Sequence, residues 1–150
     1  MIGTGHGTPA APRPSSVQLF VTCLIDHFRP EAGLAAARLL ERLGVEVHVP
    51  AGLTCCGQPA FNGGFWREAR AMARHTIAAL SRDPAPVVMP SGSCADMIVH
   101  RYAELFPDDP AAGPEAATWA RQARELAART FELSQFVVDR LGVESVPARL

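Results

Sequence analysis

The first sustained apolar run, Val17–Val21 (VQLFV), is β-branched at both ends and predicts a buried strand. It stops at Thr22-Cys23. Pro30 then opens a helix, at a position where its missing N–H costs nothing. Along that helix Ala36, Leu39, Leu40 and Leu43 recur at intervals of three and four, while Arg38, Glu41 and Arg42 line the wet side and Gly44 supplies the stop. Val45–Val49 (VEVHV) alternates strictly, as a strand with one drier face does. Pro50, Gly52, Cys55-Cys56-Gly57, Pro59 and Asn62-Gly63-Gly64 then make a long loop rich in turn residues. A second amphipathic helix carries Trp66, Ala69, Ala73, Ile77 and Leu80 on its core stripe and Arg67, Arg70 and Arg74 on its wet one, until Asp83-Pro84 breaks it. Val87-Val88-Met89 is a third, wholly apolar strand. Pro90-Ser91-Gly92-Ser93 leads into a third helix through Ile98, Tyr102 and Leu105. Beyond an exposed connection at 107–114, the chain reads as helical through Trp119, Leu126, Leu133, Phe136 and Leu141, interrupted at most near Thr130.

Strand and helix thus alternate three times, the pattern of a parallel sheet covered on both faces. Right-handed crossovers give an α/β fold: a small, doubly wound, Rossmann-like parallel sheet in the order 2-1-3. Ligands of such sheets gather at the carboxyl ends of the strands. The chain has 150 residues, enough for one domain, assigned to 17–150. Residues 1–16 hold Gly, Pro and Ser without an apolar segment and read as a disordered arm, not a signal peptide.

Composition narrows the function. Fourteen Arg, no Lys and 15 acidic residues give a net charge of -1, leaving no basic excess to neutralise the phosphates of a nucleic acid. No apolar run approaches the ~18 residues of a membrane span. Without a secretory signal, the expected compartment is the reducing cytoplasm. In that compartment four Cys in a small chain point to metal or redox chemistry before disulfides. No nucleophile elbow or Gly-rich phosphate loop is present.

The cysteines fall in register with the fold. Cys23 follows the first strand, Cys55 and Cys56 sit in the loop after the second, and Cys94 follows the third at a helix start. All four should meet at one sheet edge, although 31 residues separate Cys23 from Cys55 and 37 separate Cys56 from Cys94. Four clustered thiols repel once ionised, and a metal centre removes that cost by taking them as ligands. A [4Fe–4S] cluster takes four thiolates. Helix N-termini behind the loops add donors, and Gly57 and Gly92 let the backbone come close. Zinc is a poorer fit, since Cys₄ zinc sites use paired short knuckles and adjacent Cys diverge. Two further readings stay open: buried Cys acting as small apolar residues, and a redox-active Cys55-Cys56 pair, whose disulfide would be strained.

Other candidates read more plainly. His27 is within reach of Cys23, and Asp26 can cap the following turn. Gln58, Ser91 and Ser93 suit hydrogen bonds to loop backbone or to sulfur. The Arg67, Arg70 and Arg74 stripe is a wet helix face, Trp66 and Trp119 lie in core stripes, and the remaining His are surface residues.

Three segments carry a resemblance: Thr22-Cys23-Leu24-Ile25-Asp26, Thr54-Cys55-Cys56-Gly57-Gln58-Pro59-Ala60-Phe61-Asn62, and Pro90-Ser91-Gly92-Ser93-Cys94. In this order and spacing they resemble the cysteine-rich CCG family, and the likeness runs on through Glu132-Leu133-Ser134-Gln135-Phe136. It implies an iron–sulfur electron-transfer subunit of a cytosolic complex that oxidises L-lactate or a related 2-hydroxyacid, working with a ferredoxin-like iron–sulfur subunit. It implies Cys23, Cys55, Cys56 and Cys94 as cluster ligands, with Gly57, Gln58, Ser91, Gly92 and Ser93 around them; it assigns no catalytic residue. Where some relatives close the last motif with Cys-x-x-Cys, this chain has Met97, so a four-ligand site, or one completed by a non-Cys group, is the carry-over. Family members also carry two CCG halves and only one is present, so self-association through the face meant for the other half is expected.

Overall fold

The computed structural model describes residues 12–106 and 114–146. Four short strands form one parallel sheet: β1 (Ser16–Leu19), β2 (Glu46–His48), β3 (Val87–Met89) and β4 (Thr130–Glu132), in the order β2-β1-β3-β4. The α/β class and the 2-1-3 order of the first three strands are as expected from the sequence. The fourth strand is new. Thr130, Phe131 and Glu132 pair with Val87, Val88 and Met89, where the periodicity suggested helix interrupted at most near Thr130.

The helices are α1 (Cys23–Phe28), α2 (Pro30–Arg42), α3 (Gln58–Asn62), α4 (Trp66–Leu80), α5 (Gly92–Asp96), α6 (Tyr102–Leu105), α7 (Pro114–Ala127) and α8 (Leu133–Gln135). A π-helical turn, Met97–Arg101, joins α5 to α6, and another, Phe136–Arg140, follows α8. Alternation along the strands sorts two cores. Val17, Leu19 and Val88 face α2 and the chain after α8, packing on Ala36, Leu40, Phe136 and Val137. Phe20, Val87 and Met89 face the other way, onto Ala73 and Ile77 of α4, Ala123 and Leu126 of α7, and Ile98 and Tyr102. A sheet buried on both faces needs apolar side chains at successive positions, which is why β3 is buried throughout.

Two polar side chains hold the end of the second core. Gln18 is buried on β1, and its Nε2 faces the carbonyls of Leu80, Asp83 and Ala85 at 3.2, 3.0 and 3.3 Å. The Arg129 guanidinium donates to Ala85 at 2.6 Å and Leu80 at 2.8 Å. Together they satisfy carbonyls left over where α4 ends.

Two sequence expectations need correction. Trp66 is not core: at the first turn of α4 it is 47% exposed, its ring stacked 5.8 Å from Phe61. The loop after Cys23 is not irregular but forms α1, a helix with no buried residue. At the described end of the N-terminal segment, Arg13 donates to the carbonyls of Leu141 (3.2 Å) and Leu43. Residues 1–11 of the expected arm, and 107–113 of the expected exposed connection, lie outside the described residues. No helix among those described is long and apolar enough to cross a membrane.

Candidate metal centre

Each cysteine is placed by the element that follows its strand. β1 ends at Leu19 and the chain turns into α1, whose first residue is Cys23. α1 rests on α2 at Gly33, where an added Cβ would stand 3.3 Å from Ile25 and from Val21. After β2, the loop delivers Cys55 and Cys56 to the start of α3. Gly57, the residue before that helix, has φ +92°, a conformation that L side chains rarely adopt. Its N–H lies 3.4 Å from Cys55 Sγ and its carbonyl accepts the Phe61 N–H at 3.0 Å. After β3, Cys94 falls in the first turns of α5.

The four sulfur-bearing residues line one cavity of about 310 Å³. Leu24, Ile25, Pro59 and Pro90 form its apolar walls, and Gln58, Ser91 and Ser93 its polar rim. All four thiols are free. Cys56 and Cys94 are buried members of the core, whereas Cys23 and Cys55 are half-buried. Among the described residues, no acidic or basic side chain lines the cavity. Gln58 Nε2 donates to the Ser93 carbonyl at 3.2 Å and so ties the Cys55-Cys56 segment to α5. The Ser91 and Ser93 hydroxyls are 3.4 Å apart.

The four thiols influence one another, Cys56 and Cys94 most strongly, and such neighbours lose a first proton easily and a second with difficulty. The first comes from Cys94, whose pKa is lowered to about 6 chiefly by the Cys56 thiol, with help from Ser91 and Ser93, against the opposing effect of burial. Cys56 is pushed far up, first by Cys94 and then by burial. Cys23 is raised mainly by burial, and further by its neighbour Cys55.

Sequence reasoning placed these residues with mixed precision. Gly92 does not touch the cavity; it borders a groove beside β4, and a Cβ there would meet nothing within 4 Å. His27 is exposed, with Nδ1 at 2.9 Å from the Cys23 carbonyl, and neither it nor Asp26 lines the cavity. Met97 is fully buried and also absent from the lining. The surface readings of His48, His75 and His100 hold; His75 Nε2 lies 2.6 Å from the Gly52 carbonyl. One participant was missed: Tyr102, whose hydroxyl donates to the Cys56 carbonyl at 2.9 Å. The sequence signalled it only as one apolar position of a helix stripe.

The donor set is four Cys from three segments around one cavity, and a multi-iron cluster, whose irons bind separate thiolates, suits it. The residues present therefore fit an iron–sulfur cluster.

A parallel α/β sheet with cysteines from three successive strand-to-helix segments facing one cavity defines a cysteine-rich α/β module. The family model for the CCG cysteine-rich domain matches residues 17–99, more than half of the chain, and the chain belongs to that family. Three curated relatives, each named Lactate utilization protein A, match over 134 residues, 89% of this chain. They are 48% identical in Geobacillus kaustophilus and 47% in Bacillus subtilis, with 52% of each relative covered. The one from Macrococcus caseolyticus is 45% identical, with 51% covered. The chain thus spans about half the length of the curated relatives it matches. No solved structure matches it significantly.

Proposed function

We propose that this chain binds an iron–sulfur cluster, [4Fe–4S] in type, through Cys23, Cys55, Cys56 and Cys94, and relays electrons released when L-lactate or a related 2-hydroxyacid is oxidised. The observation that carries the proposal is the cavity itself: four free thiols from three separate segments line it with no competing charged group. The lactate assignment draws on the relatives' names. Work in the cytoplasm beside a ferredoxin-like iron–sulfur subunit completes the reading.

When bound, such a cluster supplies one-electron redox chemistry at a potential set by hydrogen bonds to sulfur, burial and charge. The chain's own residues prepare for it. The Gly57 N–H is aimed at Cys55 Sγ, and the Ser91 and Ser93 hydroxyls favour negative charge on Cys94. Leu24, Ile25, Pro59 and Pro90 keep water from the sulfurs. Gln58 holds two of the three cysteine segments at fixed separation.

Iron and sulfide analysis of anaerobically purified protein tests the reading, with each Cys replaced by Ser in turn. The expected result is a brown protein with about four irons, and loss of iron in every variant. A colourless protein with two rapidly titrating thiols would instead support thiol–disulfide chemistry at Cys55-Cys56. Four inert thiols would indicate a metal-free interaction scaffold.

We further propose that a second copy of the chain covers the exposed side of α1. Leu24 and Phe28, four positions apart on one helix face, are 68% and 74% exposed beside the cavity mouth. Two such faces, one from each copy, would bury each other's apolar side chains.

A further inference from the structure

Tyr102 is the sole tyrosine of the chain and is fully buried. Its hydroxyl bridges 46 positions of sequence to reach the Cys56 carbonyl. It is therefore a strut between two cysteine-bearing segments, because α5, which carries Cys94, runs through the π-helical turn into Tyr102 without a break. The turn aims the strut. Its backbone bonds span five residues, and the Tyr102 N–H closes it by donating to the Met97 carbonyl. One added residue rotates everything that follows by about 100° around the helix axis. With that rotation Met97, Ile98, Tyr102 and Leu105 all point into the same core. Turns of this kind concentrate at functional sites.

The phenol donates to a backbone carbonyl and not to a side chain. The Thr76 hydroxyl lies beside it yet outside hydrogen-bond geometry, so the Cys56 carbonyl is the partner the phenol serves.

We infer that Tyr102 is a positioning residue: carried by the π-helical turn behind the Cys94 helix, its hydroxyl fixes the Cys56 carbonyl and thereby holds the buried Cys56 sulfur beside Cys94. Its bearing on a cluster rests on the function proposed above; its bearing on Cys56 does not. The first test therefore uses metal-free protein, with thiol labelling resolved by mass spectrometry for each cysteine. Tyr102→Phe should raise the labelling rate of Cys56 relative to Cys94 by about fivefold, as expected when one buried hydrogen bond stops opposing local opening. Val45→Ala, a core change on the other side of the sheet, should leave that ratio unchanged. An unchanged ratio in Tyr102→Phe, or an equal shift in both variants, overturns the inference.

Should Tyr102→Phe not fold, 3-fluorotyrosine in the unaltered sequence gives one ¹⁹F resonance, because there is one tyrosine. That resonance should move when cadmium ion occupies the thiols, detected by its thiolate absorption; a static resonance at full occupancy refutes the coupling. In protein that carries iron, Tyr102→Phe should shift the midpoint potential, which a purely structural role would leave in place. If the unaltered protein carries no iron, the proposed function fails while the labelling ratio still decides the role of Tyr102.

Discussion

Replacing Gly57 by Ala tests how the Cys55-Cys56 segment is built. The residue has φ +92° and ψ -2°, between the Cys pair and α3. An added Cβ would lie 3.4 Å from the Ala69 carbonyl oxygen and 3.4 Å from Met72 Cβ, ordinary contact distances, so crowding contributes little. The cost is therefore in the backbone, about 1–3 kcal/mol for a side chain held in a sparsely populated region. Lower chain entropy in the unfolded state returns roughly 0.4–1 kcal/mol of it. A net loss of about 1–2 kcal/mol corresponds, at this chain length, to a fall in Tm of about 2–8 °C. Urea unfolding should show the loss as a lower midpoint at unchanged slope. Gly44→Ala is the matched control, with φ +80° and nothing within 4 Å of the added atom. Both variants should lose similar stability, but only Gly57→Ala should lose iron, because only Gly57 aims an N–H at Cys55 Sγ. A Gly57→Ala protein as stable as the parent, while Gly44→Ala is weakened, would refute the backbone argument.

Two further outcomes follow from the same structure. Arg129→Met and Gln18→Leu each remove donors from the carbonyls of Leu80 and Ala85, at about 1–3 kcal/mol apiece. Because each covers for the other, the double variant should lose more than the sum by about 0.5 kcal/mol or more, and strict additivity in denaturant titrations would show the two act independently. Phe28→Asp should abolish self-association in light scattering while changing stability by no more than about 0.5 kcal/mol, since the side chain faces solvent and lies outside the cavity lining. A parent protein that is monomeric and retains iron would remove the need for any cover.

Features encoded locally could be read from the amino-acid order alone. β1 and β3 are apolar runs ended by turn residues, and each cysteine lies just beyond a strand, so their common edge followed from topology. β4 could not be seen this way. Three residues are too few for a period, and the stripe from Leu126 to Leu133 masked them; what makes them a strand is pairing with β3. Thr130-Phe131, both strand-formers, was the one available signal. α1 escaped notice for the opposite reason: with nothing buried it has no apolar stripe. Trp66 was assigned to the core because it shares a stripe with Ala69 and Ala73, but as the first residue of α4 it overhangs the end of the core and stacks on Phe61. The Tyr102 bond depends on an extra helical residue, which no composition rule announces.

The unequal anchoring of the four sulfurs has a consequence for how the protein fails. Cys56 and Cys94 belong to the interior, whereas Cys23 rides on a helix that contributes nothing to either core and leans on its neighbour at Gly33. Elements with few buried contacts swing open at a small fraction of the global unfolding free energy. Under the proposed function, departure of the cluster and melting of the polypeptide are then separate events: α1 would lift, release the cluster and settle again, leaving an intact but colourless molecule.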